Sequence, residues 1–351
     1  MGIRCIPKTK CLLSSKVVCL KAVHLIVILL IIASGGCSDK DRDTAPEPYE
    51  KITLAIPAPD YPLFLALILL AKEEGFFKEY GLDVVNKLYP HGVTSLKALQ
   101  TGEVDMAVGA EFPFVKQSLG GSKMKIIASV SQVDVLELIA RKDSGISKPS
   151  DLRGKRVALI KGSQLEFCLD RFIIRYRLNL KDIEILDLPP PGIEKSILEG
   201  AADAIVFREP MSSRVKTGLG ENWISWWIQE QRKLFWIIAC NDAYVVKHPK
   251  TIKRFLRAIR KAELFFLKSP QKAIDIIIKR GILEPKQFSR MLPKIEYRLS
   301  LDKALLIAME DEVRWHIKNR YTEAKRVPNY LDRIYFDALE SVNPDAVNII
   351  H

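Results

Sequence analysis

The residues of this chain that could do chemistry are concentrated in a passage stated twice. Leu99-Gln-Thr-Gly-Glu-Val-Asp-Met-Ala-Val-Gly-Ala-Glu-Phe112 is echoed by Ile197-Leu-Glu-Gly-Ala-Ala-Asp-Ala-Ile-Val-Phe-Arg-Glu-Pro210, so that Gly102 aligns with Gly200, Asp105 with Asp203 and Glu111 with Glu209. Each copy reads as a helix stopped at a glycine, a short apolar strand, and a polar loop carrying a glutamate. A carboxylate at a strand end can orient a donor. Beside one of them Arg208 offers a guanidinium fork suited to a carboxylate, sulfonate or phosphate. Gly162-Ser163, directly before a helical pattern, adds backbone N–H groups and a helix dipole that favour an anion, although Ser163 reads equally well as an N-cap.

This is the chemistry of binding. The histidines at 24, 91, 248, 316 and 351 form no catalytic or metal-ligand cluster, and no Gly-x-Ser-x-Gly nucleophile motif occurs. Cys168 and Cys240 have no metal-ligand spacing and sit in apolar segments, so two buried thiols are expected. No enzyme activity, cofactor or metal is expected. The aromatic group Trp223, Trp226, Trp227 and Trp236 is expected in the core and hinge, with one indole reaching a ligand as the alternative.

The elements that must position these loops follow a β-α alternation. Strands are expected at 51–56, 82–88, 105–108 and 125–130, with helices at 63–74 and 94–100 between them. The plan repeats with strands at 155–160, 183–188 and 204–207 and helices at 164–177 and 193–198. A strand at 234–239 returns the chain to the first lobe, and helices follow near 251–267, 272–279 and 302–318. Such alternation predicts parallel sheets covered by helices, in two lobes, with ligand beyond the carboxyl ends of the strands. The helix over 250–268 is basic and amphipathic. A solvated face is expected there, and contact with anionic lipid or a membrane partner is the alternative.

The chain has 351 residues with 54 Lys+Arg against 42 Asp+Glu, long enough for two domains of ordinary size. No basic, aromatic-interleaved recognition run accompanies that charge, so nucleic-acid binding is not expected. Lys and Arg up to Lys21 precede the apolar run Ala22–Ala33, then Ser34-Gly35-Gly36-Cys37. The run is short of the roughly 20 residues that span a bilayer. A basic region, a short apolar core and small residues describe an export signal, and small residues leading into a cysteine are similar to a bacterial lipobox. Acylation of Cys37 is therefore expected, with an uncleaved anchor or simple secretion as the other readings. Residues 38–50 are charged, contain proline and read as a tether.

Taken together the motifs resemble the substrate-binding proteins of bacterial ABC importers, in the nitrate/sulfonate/taurine (SsuA/TauA-like) family. The residues that carry the resemblance are Ala71-Lys-Glu-Glu-Gly-Phe-Phe-Lys-Glu-Tyr-Gly-Leu-Asp-Val84, Gly102–Gly109, Glu137–Ile146, Ser150–Val157, Lys161-Gly-Ser163 and Glu209-Pro210. The resemblance implies an α/β type II periplasmic-binding fold, two Rossmann-like lobes closing on a ligand. Its ligand loops fall on Asp60 and Tyr61, on Gly109, Ala110, Glu111 and Phe112, on Gly162, Ser163, Gln164 and Glu166, and on Arg208 and Glu209. Where members of the family often have Trp-Glu-Pro this chain has Arg208-Glu209-Pro210, so a stacking indole gives way to a cation. The expected organisation is a signal over 1–37, a tether over 38–50, a first lobe over 51–133 and 241–351, and a second over 134–240. A monomer is expected, anchored to a bacterial membrane and serving an ABC permease. The four acids Asp60, Glu111, Glu166 and Glu209 near the cleft argue for an amine-bearing, heterocyclic or zwitterionic ligand such as an aminosulfonate. A sensory module and an enzyme related to synthesis of thiamine-pyrimidine or menaquinone precursors are the alternatives.

Overall fold

The structure, a computed structural model, describes residues 50–58, 62–229, 232–281 and 284–351. Cys37, Asp60 and Tyr61 lie outside the described residues. In chain order the strands are β1 (Glu50–Pro57), β2 (Leu82–Tyr89), β3 (Met106–Ala110), β4 (Met124–Val133), β5 (Glu137–Arg141), β6 (Arg156–Leu159), β7 (Glu184–Asp187), β8 (Ala204–Phe207), β9 (Trp223–Trp227), β10 (Leu234–Asn241) and β11 (Ile295–Ser300). They form a six-stranded sheet in the order β11-β4-β10-β3-β1-β2 and a five-stranded sheet in the order β7-β6-β8-β5-β9.

Only one side of each sheet, three strands running out to the edge, is parallel. β2-β1-β3 and β7-β6-β8 run in parallel, while β10, β4 and β11 in the first sheet and β5 and β9 in the second pair antiparallel. This corrects the wholly parallel expectation. Strands such as β4 and β10 are buried along nearly their whole length whatever their direction, so their sequence does not reveal whether they run parallel or antiparallel. The chain crosses between sheets twice, after β4 and after β9. The fourth strand of each parallel group is thereby delivered from the other lobe. β10 lies in the first sheet, so residues 234–240 do not belong with the second lobe's strands.

The echo has a structural counterpart. Gly102 and Gly200 both adopt left-handed backbone, φ +75° and +76°, at the turns that end the two preceding helices. In each copy the aspartate then joins its strand to the neighbour. The Asp105 carboxylate accepts from the Thr53 N–H at 2.7 Å and hydroxyl at 2.6 Å. The Asp203 carboxylate accepts from the Arg156 N–H at 2.8 Å and from its guanidinium.

Several helices were not expected, among them Glu111–Leu119 and Met211–Leu219. Pro113 in the first turn of Glu111–Leu119 reads as a turn in sequence but is tolerated where helical N–H groups have no partner. The same reason carries helix Pro190–Leu198 back into the proline run. The lobes share apolar packing: Phe112 of the first and Phe167 of the second meet Trp315 of helix Lys303–Lys318, with ring centroids 5.5–5.9 Å apart.

Candidate functional site

The carboxyl ends of the parallel strands converge on a cavity of about 340 Å³. The first lobe contributes Phe64, the turn His91–Val93 after β2, and Ala110, Phe112, Pro113, Lys116 and Gln117 after β3; the second contributes Ile160–Leu165 after β6 and Phe207-Arg208 at the end of β8. Val133, Val135, Leu136, Leu234 and Trp236, at the two crossings, close the wall. Helices beginning at Gly92, Glu111 and Gln164 present their N-termini here, which sets a weakly positive field.

Of the residues expected at the ligand, Ala110, Phe112, Gly162, Ser163, Gln164 and Arg208 line the cavity. Glu111, Glu166, Glu209 and Gly109 do not. Gly109 is a close-approach position instead: a Cβ there would fall 2.8 Å from Leu96 of helix Gly92–Gln100. The Ser163 hydroxyl caps its helix, accepting from the Leu165 N–H at 3.2 Å and donating to the Ile160 carbonyl at 2.5 Å.

The three glutamates are each committed elsewhere. Glu166 is buried, accepts from the Gly162 N–H at 2.6 Å and from the Tyr321 hydroxyl at 2.9 Å, and so occupies the helix N-terminus that the sequence offers to an anion. Glu209 is buried, accepts from the Ser213 N–H at 3.1 Å and hydroxyl at 2.9 Å, and pairs with Arg290 on helix Pro285–Met291.

Glu111 is fully buried behind the cavity, accepting from the Phe235 N–H at 2.9 Å and lying 3.4 Å from the Gln164 amide nitrogen. Burial lifts its pKa to about 7 against the opposing pull of the Phe235 N–H and Arg232. Its neighbour Glu312 is pushed well above the usual carboxylate range, by burial first and by Glu111 second. Arg232, at the second crossing, joins Asp311 at 2.8 Å and Glu312 at 3.2 Å and lies over the Phe167 ring at 4.5 Å. Two buried carboxyls share one guanidinium, so the pair retains a proton near neutral pH.

The described lining is therefore apolar and aromatic with cationic groups and no carboxylate. Arg208 lies over Phe64 at 5.6 Å and Phe207 at 5.9 Å. Lys116 reaches across the cleft to the Gly162 carbonyl at 3.2 Å. Phe64 and Trp236 stack at 5.6 Å with their planes 10° apart, and Trp236 lines the cavity, so one indole reaches it, which is the alternative to packing in core and hinge. Lys116, Gln117 and Phe64 escaped the sequence reading, because each sits inside a helix or turn whose facing is set by packing. Helical spacing from Phe112 to Lys116 is the one signal that could have exposed Lys116.

A cavity between two such lobes defines a periplasmic-binding architecture, and the chain belongs to the NMT1/THI5-like family, whose model matches residues 65–273. In fold it is similar to the periplasmic aliphatic sulphonate binding protein SsuA from Escherichia coli, with TM-score 0.69 and 19% identity over 82% of this chain and 92% of that one. In sequence it is similar to YtlA of Bacillus subtilis, named as a candidate binding protein, at 25% identity over 72% of this chain and 75% of that protein. It is also similar to THI12 of Saccharomyces cerevisiae, a 4-amino-5-hydroxymethyl-2-methylpyrimidine phosphate synthase, at 26% identity over 59% of this chain and 64% of the yeast protein.

Proposed function

We propose that this protein is the extracytoplasmic substrate-binding component of an ABC importer, anchored to the membrane through acylated Cys37, and that it captures an organic anion. The observation that carries the reading is the lining itself: Arg208 and Lys116 among Phe64, Phe112 and Trp236, with the nearby described glutamates turned away. That arrangement supports a sulfonate or carboxylate bearing a hydrocarbon or aromatic body in place of the amine-bearing ligand that four free acids would favour. The similarity to a sulphonate-binding protein agrees with it.

In this reading Arg208 receives the anion, Phe64 and Trp236 enclose its apolar part, and Ala110, Phe112, Gly162, Ser163 and Gln164 shape the walls. Glu111, Glu166 and Glu209 position the loops without touching ligand. Binding would favour the closed arrangement of the lobes, which a permease then recognises.

A thermal-shift series on the mature chain tests this. Alkyl and aryl sulfonates and carboxylates should raise the midpoint, by an amount equivalent to about 2.7 kcal/mol at a hundredfold excess over Kd. Polyamines, and sulfate or nitrate alone, should not; stabilisation by polyamines alone would overturn the anionic reading. Catalysis is the second reading, favoured by the similarity to the yeast synthase. Formation of a pyrimidine phosphate by the purified chain would establish it in place of transport.

A further inference from the structure

We propose that the end of the first lobe opposite the cleft is a docking surface for an anionic lipid bilayer. The proposal builds on the anchored reading above, and its test separates the two. β1, β2 and β3 bring their carboxyl ends to the cavity, so Glu50 at the start of β1 marks the far end of the lobe. The Glu50 carboxylate is clamped there, accepting from the Thr251 hydroxyl at 2.6 Å and the Arg254 guanidinium at 2.7 Å, with His248 at 3.3 Å. All three belong to the start of the helix Pro249–Lys268 and the residue before it.

Charge is distributed unevenly along this segment. Arg254, Arg260 and Lys261 are paired with Glu50, Glu263 and Glu79. Lys247 and Lys250 are exposed and Lys253 half-exposed, and these three have no ion-pair partner among the described residues. Beside them Val246 is 78% exposed, an apolar side chain among cations. Lysines around a protruding aliphatic group match a surface of anionic headgroups over hydrocarbon.

The same end is where the chain leads to its apolar N-terminal run. Twelve residues separate Cys37 from Glu50, a fully extended reach of about 45 Å. An anchor at Cys37 would keep the chain within that reach of a bilayer, where the cationic face can meet it. In that orientation the cleft opens away from the membrane, and the lobe must release the lipid to present ligand to a permease.

The test uses the full chain reconstituted in vesicles of phosphatidylcholine, or of phosphatidylcholine with about 30 mol % phosphatidylglycerol. Acylation rates of individual lysines are read by mass spectrometry, with exposed Lys195 of the second lobe as reference. Lys247, Lys250 and Lys253 should react about fivefold more slowly on the anionic vesicles. The difference should vanish near about 1 M salt, with Lys195 unaffected throughout. Equal rates on the two lipids overturn the proposal. Slow reaction without any lipid also overturns it, assigning the face to the acidic stretch Asp39–Glu47 or to a protein. Flotation with pure phosphatidylcholine reports anchoring separately. A chain that fails to float, yet shows the charge-dependent protection, loses the anchor and keeps the docking face.

Discussion

Glu111 and Glu209 hold the same place in two copies of one passage, and the lobes use them in opposite directions. Up to that point the copies agree: a left-handed glycine, then an aspartate whose carboxylate takes an N–H from the adjacent strand. Beyond it they part. After β3 the small Ala110 leads directly into a helix, and Glu111 turns inward to the Phe235 N–H and the buried Arg232–Glu312 group at the crossing. After β8 the chain spends Phe207 and Arg208 on the cavity, and Glu209 reaches out to Ser213 and Arg290. The first half of the motif builds a framework. The second half divides the work, with one lobe stiffening the crossing and the other supplying the cation.

The largest effect should come from the inward acid. Glu111 has its pKa raised by burial to about 7, above the unfolded value near 4.5, so the folded chain holds this proton more tightly. Its favourable contribution is complete below about 4.5, declines as pH rises, and is gone above about 7. Glu111→Gln should flatten that slope and raise stability at pH 8 by on the order of 3 kcal/mol. Denaturant melts at pH 5 and pH 8 measure it, and an unchanged slope would remove the buried carboxyl from the account. Asp203 should show the opposite sign. Burial opposes its ionisation, but the bonds from Arg156 and Ser144 hold it at about 2, so its contribution is lost only as pH falls from about 3.8 through 2.

The shared framework is tested by paired truncation. Asp105→Ala and Asp203→Ala should each cost about 2–3 kcal/mol in chemical denaturation, since each strands a strand-edge N–H. A neutral Asp105→Ala beside a costly Asp203→Ala would mean that the copies share sequence without sharing a role. Next comes the asymmetry at the cavity. Arg208→Ala should weaken binding of an organic anion about 30-fold, the worth of a charge-assisted hydrogen bond, while leaving the melting midpoint of the free protein in place. Calorimetry with an alkanesulfonate measures this, and retained affinity would move the anion to Lys116. The smallest effect belongs to Arg290→Ala. Arg290 is about half exposed, so the loss should be 1 kcal/mol or less. Its more telling readout is small-angle scattering, in which the free protein should expand if this pair helps hold the lobes together.

Local sequence is enough to specify the β-α alternation, the positions of the parallel strands and the strand-end loops that surround the cavity. These follow from local period, helix-stopping glycines and capping residues, all within a few positions of one another. The echo also identified Asp105 and Asp203 as equivalent, because their partners lie on the strand beside each copy. Direction, by contrast, comes from long-range packing. Strand direction in β4, β5 and β10 depends on two crossings that a strand buried on both faces does not record. The facing of Glu111 depends on a backbone N–H 124 residues away, and that of Glu209 on an arginine from the other lobe. A carboxylate points to whichever donor the fold brings within about 3 Å once water is excluded, and no spacing within either copy of the motif specifies that donor.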